Sequence, residues 1–140
     1  MKESGFRILD HPADLGIEAN GETLADAFEQ AALGLVSIIA NISTVEARDS
    51  RRVILQGSDL EQLLVRWLGE VLYLYDGEHF IGVQFRINHL ESTQLEAVVY
   101  GEPFDPTRHE ARMDVKAITY HQLRVSEQTG KSSVRVFLDI

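Results

Sequence analysis

A chain of 140 residues, 44% of them hydrophobic, has the size of one domain and enough apolar surface to bury a continuous core. Its 22 Asp and Glu against 13 Lys and Arg give a formal net charge of -9, the wrong sign for the attraction behind most nucleic-acid affinity, so no direct nucleic-acid binding is expected. The absence of cysteine excludes disulfides, thiolate zinc sites and cysteine nucleophiles, and leaves carboxylates, histidines and carbonyls for any metal.

The polar start Met1-Lys2-Glu3-Ser4-Gly5 leads into Phe6-Arg7-Ile8-Leu9, which reads as a strand. No apolar run approaches the ~20 residues of a membrane helix, and a soluble cytoplasmic protein is expected. Beyond the turn at His11 and Pro12, Leu15, Ile17 and Ala19 alternate with Asp14, Gly16 and Glu18, the mark of a half-buried strand that Asp14 opens. Thr23 followed by Asp26 resembles a capping box, and Leu24, Ala27, Phe28, Ala31 and Leu35 then recur at helical spacing. Val53 and Leu55 suggest another strand. Ser58 with Glu61 reads as a second capping box before Leu60, Leu63, Leu64, Trp67, Leu68, Val71 and Leu72.

The two strand-to-helix units match when the chain is shifted by about 36 residues, a length suited to a supersecondary repeat: Ile17 falls on Val53, Gly21 on Gly57, Phe28 on Leu64 and Ala31 on Trp67. Duplication accounts for this, and so do two independent units with good caps. From Phe80 onward strands dominate: Val83, Phe85 and Ile87, then Leu95, Ala97 and Val99. Pro103 and Pro106 break the loop that follows, 115–125 reads as one long strand, and Thr129-Gly130 turns the chain into a closing strand of Val134, Val136 and Leu138. The sum, over 1–140, is a single compact α+β domain, two amphipathic helices packed on a mixed, largely antiparallel sheet of six or seven strands.

The most pointed constellation joins the two ends of the sequence. If the strand of Asp14 meets the strand that ends in Asp139 and Ile140, two carboxylates and a terminal or backbone oxygen of Ile140 offer hard ligands to a divalent cation. The plainer alternative has Asp14 capping a turn and Asp139 on an exposed strand end. Lys116 and Tyr120 fall on one face of their strand with His121 opposite, where the lysine either meets an acidic partner or extends to water. His11, His109 and His121 lack the short paired spacing of a zinc site, which favours packing or hydrogen-bonding roles. Neither helix-initiating turn carries a phosphate-binding lysine and hydroxyl, and there is no nucleophile elbow.

Leu9-Asp10-His11-Pro12-Ala13-Asp14-Leu15-Gly16, Thr23-Leu24-Ala25-Asp26-Ala27-Phe28, Ala31-Ala32-Leu33-Gly34-Leu35 and Asp59-Leu60-Glu61-Gln62-Leu63-Leu64-Val65-Arg66-Trp67-Leu68 form an ordered set of segments. It continues through Gly101-Glu102, His109, Val115-Lys116-Ala117-Ile118-Thr119-Tyr120-His121 and Val136-Phe137-Leu138-Asp139-Ile140. Together, from about Phe6 to Ile140, they resemble the archease family. Pro12 stands where the family generally has Thr, Leu15 where it has Val or Ile, and Gln122 where Gly is common. The resemblance implies an accessory protein and not an enzyme: an activator of the GTP-dependent RNA ligase of tRNA splicing and RNA repair, promoting guanylylation of the ligase histidine and repeated turnover. It implies a divalent ion, typically Ca²⁺ with Mg²⁺ or Mn²⁺ as alternatives, held by Asp14, Asp139 and Ile140. Lys116 matches a position linked to activity, and His11, Tyr120 and His121 are expected to contact the partner. Two other classes stand beside this reading, a general chaperone for nucleic-acid-modifying enzymes and a metal-dependent hydrolase. The oligomeric state is left open.

Overall fold

The computed structural model describes residues 4–10 and 14–140. β1 (Gly5–Asp10) and β2 (Asp14–Gly21) pair antiparallel, and β2 also pairs with β7 (Lys131–Asp139). β6 (Ala117–Gln128) lies on the far side of β7, giving a four-stranded sheet in the order β1-β2-β7-β6. The alternation read in β2 has its counterpart in β7: Ile17 and Ala19 are buried with Val134, Val136 and Leu138 on the core face. The turn between β6 and β7 is Thr129-Gly130, as expected, with Gly130 at φ 72° where an L side chain is disfavoured.

A second sheet has the order β3-β5-β4, from β3 (Asp49–Gln56), β4 (Phe80–Glu91) and β5 (Gln94–Pro103). Between the strands run α1 (Leu24–Ile39) and α2 (Leu60–Asp76). Two helices on antiparallel sheets in one compact domain are the expected α+β class. The finer expectation of one sheet with some parallel pairing does not hold, since the strands divide into two sheets and every ladder among the described residues is antiparallel. The reason lies in β5: β3 and β4 both run antiparallel to it, so they share a direction across α2, yet β5 sits between them and takes the hydrogen bonds a parallel pair would make.

The helix caps follow the sequence with one shift. Thr23 Oγ1 accepts from the Asp26 N–H at 3.1 Å and Asp26 Oδ2 accepts from the Thr23 N–H at 3.4 Å, a complete capping box. At α2 the cap is Asp59 instead of Ser58: Asp59 Oδ1 accepts from the Gln62 N–H at 2.8 Å, and Gln62 Oε1 reaches back to the Ser58 N–H at 2.7 Å. A carboxylate there also faces the positive end of the helix dipole, which a serine hydroxyl does less well.

α1 packs on β1, β2 and β7 of one sheet and β4 of the other, while α2 packs on β6 and on all three strands of the second sheet. The helices thereby join the two sheets through one core. Their own contact uses the size mismatch seen in the sequence: Trp67, which aligns with Ala31 in the 36-residue match, is fully buried and its Nε1–H donates to the Phe28 carbonyl of α1 at 2.9 Å. The Trp67→Phe substitution removes that donor and shrinks the ring, so urea unfolding should show a loss of about 2 kcal/mol with the fold retained.

Candidate functional site

The register of β2 on β7 sets Asp14 directly opposite Asp139. Opposed residues on antiparallel strands project to the same face with Cβ atoms about 4.5–5.5 Å apart, so two carboxylates share one small volume at the end of the sheet. Like charges in that relation repel, and a cation between them relieves the repulsion. Asp14 is half-buried, with Oδ1 withdrawn from solvent, whereas Asp139 and Ile140 are exposed. The next position on this face holds Gly16 opposite Phe137, where a Cβ on Gly16 would lie 2.8 Å from the phenyl ring. The ring fills the space a side chain would occupy and forms an apolar floor beside the acidic pair.

β6 brings the remaining candidates to the same end. Ala117 pairs with Asp139, and the Lys116 N–H donates to the Asp139 carbonyl at 2.8 Å, which fixes the Lys116 main chain at this end of the sheet, with its side chain exposed. The strand expected over 115–125 begins only at Ala117 and is interrupted: Thr119 pairs with Phe137 and Arg124 with Arg135, so the pairing jumps five residues on β6 against two on β7. Lys116 precedes the strand and Tyr120 opens the irregular stretch, so strand alternation does not relate their two side chains. Gln122 adopts φ 50°, which carries the chain around the bulge. His121 lands with its ring 5.8 Å from that of Phe137, edge to face, and Tyr120 is 59% exposed. The Lys116 main chain and the His121 ring thus lie next to the Asp139 end of β7, and Tyr120 precedes His121 in the chain. His11 lies outside the described residues.

What holds Lys116 in place was not legible as a site. Glu102, at the end of β5, is 1% exposed and takes four partners: the Glu46 N–H at 2.7 Å, His109 Nε2 at 2.9 Å, and the guanidinium groups of Arg108 and Arg48. Gly101 before it permits the close approach of β4, since a Cβ there would meet the Ile81 carbonyl oxygen at 1.9 Å. His109 Nδ1 accepts from the Asp105 N–H at 2.9 Å, which assigns the proton of the neutral ring to Nε2 and makes His109 a donor to Glu102. The hydrogen bond from Arg108, those from the Glu46 N–H and His109, and the Arg108 charge outweigh desolvation and lower the Glu102 carboxyl to about 2. The loop then runs along the end of α1, with the Asn41 N–H on the Glu110 carbonyl and the Arg112 N–H on the Ile39 carbonyl, before buried Val115 delivers Lys116. His109 is a clamp residue, and among the described residues no group of three His, Cys, Asp or Glu side chains is placed to hold a metal.

This arrangement lies within residues 6–140, which match the model of the archease protein family. The chain belongs to the archease family. Similar proteins include the protein archease of Sulfurisphaera tokodaii, 40% identical over 95% of this chain and 96% of the relative, and that of Sulfolobus acidocaldarius, 38% identical over 96% and 98%. The solution structure of Methanobacterium thermoautotrophicum protein 1598 shares the fold, with a TM-score of 0.84, 34% identity, and coverage of 97% of this chain and 99% of that one.

Two outcomes follow from the clamp and the bulge. With its folded value of about 2 below the ordinary 4.5, Glu102 contributes stability that is fully present above pH 4.5 and is lost as pH falls toward 2. Glu102→Gln should therefore lower unfolding stability by about 2 kcal/mol at pH 7, and the gap to the parent chain should close as urea titrations approach pH 2. At the bulge, a β-branched side chain tolerates positive φ far less than glycine, so Gln122→Val should be less stable than Gln122→Gly by about 2 kcal/mol in the same assay.

Proposed function

We propose that this protein is an accessory activator of a GTP-dependent RNA ligase, promoting guanylylation of the ligase histidine and repeated turnover, and that it acts through the end of the four-stranded sheet that carries Asp14 and Asp139. The observation behind this reading is the cross-strand opposition of those two carboxylates, beside Lys116. A hard divalent cation, Ca²⁺ first and Mg²⁺ or Mn²⁺ after it, suits the donor set: two carboxylates and a main-chain oxygen of Ile140, with no sulfur or imidazole in the set. Such a cation neutralises the paired charges and polarises oxygen ligands brought to it.

Two side-chain ligands leave coordination positions to water or to groups of a partner, which favours a tip that works inside another protein over a closed structural site. The acidic end presents negative charge to the cationic pocket that a ligase needs for GTP phosphates, and the exposed Lys116, Tyr120 and His121 supply charge and ring surface for docking. Among the described residues the large exposed apolar side chains are spread over β1, β3, α2, β6, the loop at Met113 and Ile140, which does not favour the broad apolar surface of a general chaperone.

With the cognate ligase, GTP and a divalent salt, the parent chain should raise the amount of guanylylated ligase and the number of turnovers. Asp14→Asn and Asp139→Asn should each return the signal to that of the ligase alone while circular dichroism stays unchanged; full stimulation by both variants overturns the proposal. Millimolar Ca²⁺ should raise the melting temperature of the parent chain and leave that of the double variant unmoved.

A further inference from the structure

The face of the four-stranded sheet that bears Asp14 and Asp139 has a second, oppositely charged end. Along β7, Lys131, Ser133, Arg135, Phe137 and Asp139 alternate onto this face, so Lys131 and Asp139 lie about 26 Å apart along the strand. At the middle of β7, halfway between Lys131 and Asp139, one row crosses all four strands in register: Arg7, Glu18, Arg135 and Arg124. Beside it is a concavity of about 460 Å³ whose charged lining is Arg7, Arg124, Lys131 and Glu18, with Asn20 and Ser133 among its polar groups. Three cations to one acid is the reverse of the whole chain, where 22 acids outnumber 13 Lys and Arg.

Existing contacts leave part of this charge available. Glu18 Oε1 accepts from Arg7 Nε and Nη2 at 3.2 and 2.6 Å, which offsets the charge of Arg7. Arg124 Nη2 lies 3.9 Å from Glu18 Oε2, within ion-pair distance but beyond hydrogen-bond reach, so no hydrogen bond ties its guanidinium to Glu18. Arg135 is committed to the bulge, its Nε donating to the Gln122 carbonyl at 3.2 Å. Lys131 has no carboxylate within ion-pair distance among the described residues. A guanidinium fork, an ammonium, an amide and a hydroxyl around a concavity larger than a lone ion form the donor set that takes phosphate oxygens.

We propose that this concavity binds phosphate groups, carried either by a nucleotide or by the backbone of a single-stranded nucleic acid, with Arg124 and Lys131 as the principal contacts. The net charge that disfavours nucleic-acid binding is an average over the chain, and this end of the sheet departs from it. The site is separate from the Asp14 and Asp139 end and does not depend on ligase activation.

The test uses the whole chain without ligase or divalent metal. A labelled single-stranded RNA octamer is titrated by fluorescence anisotropy, and a nucleoside triphosphate by amide chemical shifts, in low salt and in 0.2 M salt. The Arg124→Gln, Lys131→Gln double variant, altered only at exposed positions, should weaken binding about ten-fold and reduce the salt dependence, whereas Arg52→Gln with Arg86→Gln on the other sheet should leave both unchanged. Binding of the octamer alone assigns the backbone as the source, and binding of both probes assigns the phosphate group itself. Absence of binding by both probes, equal losses in the two double variants, or equal affinity for a Glu octapeptide would overturn the proposal.

Discussion

The register between β2 and β7 is the constraint on which the rest of this molecule depends. Side chains alternate with period two, so a slip of one residue would turn Ile17 and Ala19 outward and carry Asp14 into the core. Burial of Ile17 against Val134, Val136 and Leu138 makes that slip prohibitive, and the apolar pattern that holds the core also holds the two carboxylates opposite each other. Gly16 adds a second lock, because only a residue without Cβ leaves room for the Phe137 ring on the outer face. A repulsive pair of acids is thus maintained by packing elsewhere on the same two strands.

The third participant at that end, Lys116, depends on a different device. It follows a long irregular segment that would be mobile without anchors, and the anchor is a carboxylate buried far back at the end of β5. Glu102 satisfies the Glu46 N–H and His109 and neutralises arginines whose outer parts remain in water, so a buried charge is tolerated because its lone pairs are filled. The clamp, the contacts of Asn41 and Arg112 at the end of α1, and the Lys116 bond to Asp139 connect both sheets to one tip.

Features governed by local physics were legible in the sequence, to within one residue at the α2 cap, which falls on Asp59 instead of Ser58, and most features governed by pairing between distant strands were not. Thr23 with Asp26, the Thr129-Gly130 turn and the apolar stripes of both helices act over a few residues, and all are present. The division into two sheets was hidden because β5 enters between β3 and β4 only after the chain has passed through α2 and β4. The bulge at 120–123 was hidden because 115–125 is rich in β-branched and aromatic residues and carries no glycine or proline to mark a break; its one signal was the family resemblance, which led glycine to be expected where Gln122 stands at φ 50°. Glu102 and His109 stood in the matching segments, but nothing in their spacing distinguished a buried clamp from a catalytic pair. The Asp14 and Asp139 juxtaposition was legible as a possibility, since both residues flank apolar runs that could pair, and the register turned it into a direct opposition.

The outer face of the four-stranded sheet is therefore a gradient and not a uniform acidic surface. Arg7, Glu18, Arg135 and Arg124 occupy one row, Gly16, Phe137 and Thr119 the next, and Asp14, Asp139 and Ala117 the last. Negative charge at the Asp139 end, and positive charge from the middle row to Lys131, give the sheet a dipole along β7, and a dipole orients an approaching charged surface where a net charge only attracts or repels it. By elementary electrostatics, a cationic surface would be attracted at the Asp14 end and an anionic one toward Arg124 and Lys131, so a partner carrying both kinds of group would be favoured in one orientation. Glu18 offsets one of these charges, hydrogen-bonded to Arg7 and within ion-pair distance of Arg124, and the excess positive charge stays with the arginines of this row and Lys131, away from the carboxylates.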